Sequence, residues 1–159
     1  MQDIAGCRVI VGDVLKQDEV VKCLTKAFAD TSVVDRRVTP SYGYRAVHVI
    51  VYKHSIPVEV QVRTELEHSW AQLSEKLSDV VGPSVKYGGG PEQLKSKLLR
   101  LSEIVGKAEA VESRLLAMES PADHRKLTNQ AAAQFVEAKQ QLKDLLNEMI
   151  EQGVLWQDA

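Results

Sequence analysis

The sequence predicts an α+β fold: a small β-sheet with flanking helices, followed by a C-terminal pair of long α-helices. Three observations predict it. Residues 57–64, Pro57-Val58-Glu59-Val60-Gln61-Val62-Arg63-Thr64, alternate strictly, which is the period of a half-buried strand. Residues 43–51 read as the hairpin partner of that strand. Beyond the glycine-rich run at 87–91, apolar residues recur at alternating threes and fours, the signature of long amphipathic helices.

In chain order, residues 7–12 form an apolar run that fits a buried strand, and 17–29 show helical spacing through Val20, Val21, Leu24, Ala27 and Phe28. A short strand at 32–35 follows. Residues 36–43 carry Pro40 and Gly43 with no period and read as a loop. In the hairpin, the pairing Val47 with Val60, Val49 with Val58 and Val51 with Ile56 gives one continuous apolar face, with a turn at Lys53-His54; slipping by one residue would break that face. This register sets His48 opposite Glu59 and Tyr44 opposite Arg63. The next helix buries Leu66, Trp70, Leu73 and Leu77 along one stripe and ends at Gly82-Pro83. Residues 1–84 are thus expected as the core domain, 85–91 as a Gly/Pro linker and 92–152 as a helical hairpin. In that hairpin Leu94, Leu98, Leu101, Val105 and Ala108 form one stripe, and Ala131, Phe135, Ala138, Leu142, Leu145 and Met149 the other. Ser120-Pro121-Ala122-Asp123 resembles the N-cap of the second helix.

A length of 159 residues with 44% apolar and 26% charged residues suits one globular core. The net charge of -2 gives no long-range attraction for nucleic acid or an anionic membrane, so nucleotide binding has to come from local clusters. No window reaches the about 18 apolar residues of a membrane span, no signal peptide is visible at the N-terminus, and a cytoplasmic location is expected. The only cysteines, Cys7 and Cys23, are expected as buried free thiols.

The polar face of residues 57–64 carries a carboxylate, an amide and a guanidinium, which suits a metal or a phosphate. With His48 and Tyr44 across the hairpin, the surface is a plausible nucleotide site. His54, His68 and His124 have no second ligand at a zinc-like spacing. There is no Gly-x-x-x-x-Gly-Lys phosphate loop, and Gly88-Gly89-Gly90 lacks both the lysine and the preceding strand of one.

Asp3-Ile4-Ala5-Gly6-Cys7-Arg8, Gly43-Tyr44-Arg45-Ala46-Val47-His48, and Glu59-Val60-Gln61-Val62-Arg63-Thr64 with His68-Ser69-Trp70-Ala71 closely resemble the alarmone synthetase domain of the RelA/SpoT family. The resemblance covers residues 3–71 and implies a nucleotidyltransferase-like mixed sheet. It also implies transfer of pyrophosphate from ATP to the ribose 3′-hydroxyl of GDP or GTP, giving (p)ppGpp. It casts Asp3 and Glu59 as Mg²⁺ ligands, with Glu59 placed to act on the acceptor hydroxyl, and Tyr44 as the stacking partner of guanine. His48 then borders the acceptor site as a binding residue. Arg8 is the first choice for a phosphate contact among Arg8, Arg45 and Arg63. Gln61 and Arg63 support the site through hydrogen bonds. Arg36 and Arg37 either reach phosphate or stay in solvent.

The family's basic, ATP-gripping segment precedes its Asp-Ile-x-Gly motif, and this chain begins two residues before that motif. The expectation is therefore an acceptor-side fragment with reduced or no activity alone. The competing expectation is a non-catalytic guanine-nucleotide-binding or interaction module. The long apolar stripes of residues 92–150 predict a homo-oligomer, dimer or tetramer, with Leu98, Leu101, Phe135, Leu142 and Leu145 buried.

Overall fold

The computed structural model describes residues 5–116 together with Ala133, Val136, Glu137, Lys139, Gln140, Lys143 and Asp144. Its elements are β1 (Gly6–Val11), α1 (Val14–Ala27), β2 (Thr31–Asp35), β3 (Val47–Lys53), β4 (Ile56–Thr64), α2 (Glu65–Val81), a 3₁₀ turn (Pro83–Tyr87) and α3 (Glu92–Leu116). The second helix of the expected hairpin, with Phe135, Leu142 and Leu145, lies outside the described residues.

The strands form one mixed sheet in the order β1-β4-β3-β2. β1 runs parallel to β4, while β3 is antiparallel to both β4 and β2. One face is apolar because the strands alternate: Val49, Val51, Val60 and Val62 pack with Val9 under Val20, Val21 and Leu24 of α1. The Asp13 carboxylate caps α1 by accepting from the Lys16 N–H at 2.8 Å.

The hairpin register differs from the expected one by two residues. Val47 pairs with Val62, Val49 with Val60 and Val51 with Val58. The strands run on to Lys53 and Ile56, so the turn is His54-Ser55, both at positive φ (51° and 64°). That is the backbone of the tightest hairpin turn, whose twist matches the strands it joins. A shift of two keeps every side chain on its expected face but changes its neighbours: His48 sits opposite Gln61, and Glu59 opposite Ile50. Tyr44 precedes β3 and pairs with Ser41 in a turn.

A second core lies between α2, the 3₁₀ turn and α3, where Trp70, Leu73, Leu77, Val85, Leu94 and Leu98 pack together with Tyr44 and Leu101 at the edge. Leu98 and Leu101 are thus covered by the chain's own helices. The segment 85–91 is part of this packing through Val85. α2 starts with a complete capping box: Thr64 Oγ1 accepts from the Glu67 N–H at 3.1 Å, and Glu67 Oε2 accepts from the Thr64 N–H at 3.0 Å. The buried stripe of α3 is Leu94, Leu98, Ser102, Val105 and Glu109, so it ends on an acid rather than on the expected Ala108.

Two expectations are corrected. Cys7 and Cys23 are exposed, because β1 is an edge strand and Cys23 lies outside the Val20-Val21-Leu24 stripe. Arg37 neither stays in solvent nor reaches toward the polar sheet face. Its guanidinium is bound by Asp35 at 2.7 Å and Asp18 at 2.8 Å, tying β2 to α1. Among the described residues no helix is long and apolar enough to cross a membrane.

Candidate functional site

The loop before β3 sets the position of Tyr44. Gly43 has φ 90°, and a Cβ there would stand 2.7 Å from the Trp70 ring. Only glycine allows both that backbone and that approach. Trp70 is held in turn by its indole N–H, which donates to the Leu98 carbonyl at 3.0 Å. The Tyr44 loop is thereby seated on α2 and α3.

From Tyr44 a closed ring of five side chains runs across the polar face of the sheet. Arg63 NH2 donates to the Tyr44 hydroxyl oxygen at 2.9 Å and to Gln61 Oε1 at 2.9 Å. Gln61 Nε2 donates to Glu59 Oε2 at 2.9 Å. His48 Nδ1 lies 2.5 Å from Glu59 Oε1, and His48 Nε2 lies 2.9 Å from the Tyr44 hydroxyl. Since the Tyr44 oxygen accepts from Arg63, its own hydrogen is available to His48 Nε2. That puts the imidazole proton on Nδ1, facing Glu59. Burial raises the Tyr44 phenol above its ordinary pKa, opposed by Arg63, which keeps the hydroxyl a donor. The His48–Glu59 contact is diagonal across the hairpin, a reach that long side chains can make.

Arg63 also lies over the Tyr44 ring, 5.0 Å from its centroid, and is only 3% exposed. Its Nε and NH1, like His68 Nδ1 on the first turn of α2, are buried with no hydrogen-bond partner among the described residues. Burial lowers the His68 pKa, helped by Arg8 and Arg63. Beside the ring, Gly6, Cys7, Arg8, Glu59 and Gln61 line an open cleft of about 270 Å³. Arg8 sits next to Gln61 in the β1–β4 register and, among the described residues, makes a loose contact with Glu75, at 4.0 Å, between partly exposed side chains. Such a guanidinium can be drawn to an anion at little cost.

The structure therefore brings Tyr44, His48, Glu59, Gln61 and Arg63 into one network and sets Arg8 beside it. It does not bring Arg45 there. Arg45 lies against Gly106, where a Cβ would be 2.9 Å from its guanidinium, and 3.8 Å from Glu109. Asp3 lies outside the described residues. Among the described residues no three His, Cys, Asp or Glu side chains group to hold a metal by themselves. Sequence reasoning passed over Gln17, Glu67 and Glu109, which are buried at the meeting of α1, α2 and α3. The spacing Thr64-x-x-Glu67 before an apolar stripe marks a helix start, but nothing in the pattern marks Glu109.

Residues 1–78 match the model of a region found in RelA/SpoT proteins. Uncharacterized proteins of Mycobacterium tuberculosis and Mycobacterium bovis are 35% identical over 129 residues, which is 78% of this chain. The chain spans 47% of the length of these curated relatives. Among solved structures, small alarmone synthetase 1 from Bacillus subtilis, bound to its product pppGpp, is similar with TM-score 0.58 and 30% identity, over 76% of this chain and 66% of that one. A GTP pyrophosphokinase family protein from Streptococcus pneumoniae gives TM-score 0.54 at 27% identity, over 72% and 60% of the two chains.

Proposed function

Because the chain carries a RelA/SpoT-family domain of the small alarmone synthetase type over residues 1–78, we propose that its polar sheet face is the acceptor side of a (p)ppGpp synthetase site. The observation that carries this reading is the closed ring from Tyr44 through His48, Glu59, Gln61 and Arg63, set at the mouth of a cleft that also holds Arg8. In the reaction the ribose 3′-oxygen of GDP or GTP attacks the β-phosphorus of ATP. The bond from that phosphorus to the α-phosphate oxygen breaks, and AMP leaves. The hydroxyl proton passes to Glu59, whose carboxylate is turned to the cleft by His48 on one oxygen and Gln61 on the other. A general base has to be held within hydrogen-bond reach of the proton it takes, and the ring supplies that orientation.

Tyr44 offers its ring to the guanine, with Arg63 fixing its tilt. Arg8, which lines the cleft, is the guanidinium that meets the phosphates, whose paired oxygens match its planar donors, while Arg63 stays buried. Mg²⁺ fits the donor set: one or two carboxylates, waters and substrate phosphates usually complete its octahedron, and Glu59, with Asp3, would provide the carboxylates. The ion would draw off negative charge from the transferred group. Arg45 acts from the other side, through α3, rather than on substrate.

An assay with ATP, GDP and Mg²⁺, resolved by ion-exchange chromatography, tests the reading. Formation of ppGpp that drops at least about 100-fold in Glu59→Gln, the size of a general-base contribution, is expected. Binding of GDP without any ppGpp would favour the non-catalytic module, which both tethered oxygens of Glu59 already make worth testing. The same reading extends to a homo-oligomer through α3 and the segment after it, since Leu99, Ile104, Val111 and Leu116 stay exposed. Light scattering during size exclusion checks this: a dimer or tetramer mass is expected, and a monomer mass refutes it.

A further inference from the structure

Two carboxyl groups that the sheet-face site does not use both bond Thr64, where α3 crosses the β4–α2 junction. Glu67 is 1% exposed and Glu109 3%. Glu67 Oε2 accepts from Gln17 Nε2 at 2.7 Å and from the Thr64 N–H at 3.0 Å. Glu109 Oε1 accepts from Thr64 Oγ1 at 2.5 Å. The other oxygens, Glu67 Oε1 and Glu109 Oε2, are buried with no hydrogen-bond partner among the described residues.

The surrounding charges do not make up this shortfall. From the Tyr44 loop, Arg45 Nε stands 3.8 Å from Glu109 Oε2, and it too lacks a hydrogen bond. From the end of β2, Arg37 is committed to Asp35, to Asp18 of α1 and to Gln17 Oε1. At the rim, Glu112 is paired with Lys139 and Glu65 with Lys143. Among the described residues, one uncommitted guanidinium therefore faces two buried carboxyls. A buried ionised oxygen with no donor is costly, and two neighbouring carboxylates oppose each other's ionisation. A proton on one of them removes a charge and supplies a donor.

We infer that Glu67 and Glu109 share one proton in the folded protein, and that this proton latches α3 onto the β4–α2 junction. Glu109 is the natural holder, having fewer donors than Glu67. Consistent with this, burial pushes the Glu109 carboxyl up to about 7, with the Glu67 charge as the next cause, and burial raises Glu67 as well. A cavity of about 310 Å³, lined in part by Arg37, Arg45, Gly106 and Glu109, opens beside Glu109 and gives water access for proton exchange. A carboxyl whose folded pKa lies above its unfolded value stabilises fully below the unfolded value, and that contribution is lost as pH rises through the folded one. The latch is therefore closed in mild acid and slackens from about pH 7 upward. Thr64 adjoins Arg63 and Arg45 adjoins Tyr44, so slackening reaches two adjacent members of the ring.

The α2–α3 contact has its own reporter, because the Trp70 indole donates to Leu98 of α3. In a Trp156→Phe background Trp70 is the sole tryptophan of the two in the sequence. Its emission should shift to the red in one transition near pH 7, while Tm should fall as pH rises from about 5 to about 7 and then level off. Glu109→Gln, which mimics the protonated acid, should abolish the transition and raise Tm at high pH. Glu67→Gln should also abolish it and serves if the first variant does not fold. Infrared difference spectra of the parent protein across the same transition should show loss of a protonated carboxylic acid. Emission and Tm that do not respond to pH, a transition kept in the variants, or no such infrared band overturns the inference.

Discussion

Two polar networks flank Thr64, and they are built on opposite terms. On the sheet face, the ring through Tyr44, His48, Glu59, Gln61 and Arg63 gives a partner to each of its side chains and lies beside an open cleft. Behind it, Glu67 and Glu109 are buried and, among the described residues, short of donors. The first arrangement fixes the orientation of each side chain by hydrogen bonds that meet donor with acceptor. The second makes the packing of a helix depend on a proton. Both hang on a single turn of chain, so the strand that carries Glu59 also sets the helix cap.

The largest effect is expected from Gly43→Ala. It forces a Cβ into the Trp70 ring at 2.7 Å from a backbone with φ 90°, which disturbs both networks through α2. Unfolding in urea should show a loss of about 3 kcal/mol. Next comes Arg63→Lys, which keeps the charge but loses the planar guanidinium that lies over the Tyr44 ring and reaches Tyr44 and Gln61 from one nitrogen. A stability loss of about 2 kcal/mol and a fall in GDP affinity are expected, measured by urea unfolding and calorimetry. If only stability falls, the ring is structural and the site lies elsewhere.

Most of the fold was legible because it rests on local period. The alternation of residues 57–64 gave β4 and its two faces, and the Leu66-Trp70-Leu73-Leu77 stripe gave α2. The register was not legible in full, since apolar matching fixes only its parity. The two-residue shift came from a turn with both residues at positive φ, His54 and Ser55, neither of which is a glycine or asparagine that would announce it. The ring survived the shift because its members are long enough to reach diagonally. The buried pair was invisible for a different reason: Glu109 falls in line with Leu94, Leu98 and Val105 only on a straight helix, while a heptad count puts Ala108 there. Likewise Arg45 resembled a ligand residue by its place in a motif, but Gly106 gave it room against α3.

A smaller effect separates the networks. Glu59→Gln leaves one acceptor where the ring uses two, so one hydrogen bond is lost and stability should fall by about 1 kcal/mol in urea unfolding, while any synthetase activity is lost. The smallest change is expected from Gly106→Ala. Removing glycine from a helix interior gains about 1 kcal/mol, and displacing the end of the Arg45 side chain offsets it, so unfolding should stay within about 1 kcal/mol of the parent.

If the ring presents Tyr44 and Glu59 to a guanine nucleotide, calorimetric titration of GDP with Mg²⁺ into the parent protein and into Tyr44→Ala will separate the two proteins. Stacking on an aromatic contributes about 1–3 kcal/mol, so the variant should bind at least about 5-fold more weakly while its fold, checked by circular dichroism, is kept. Equal affinity in the two proteins would contradict the account.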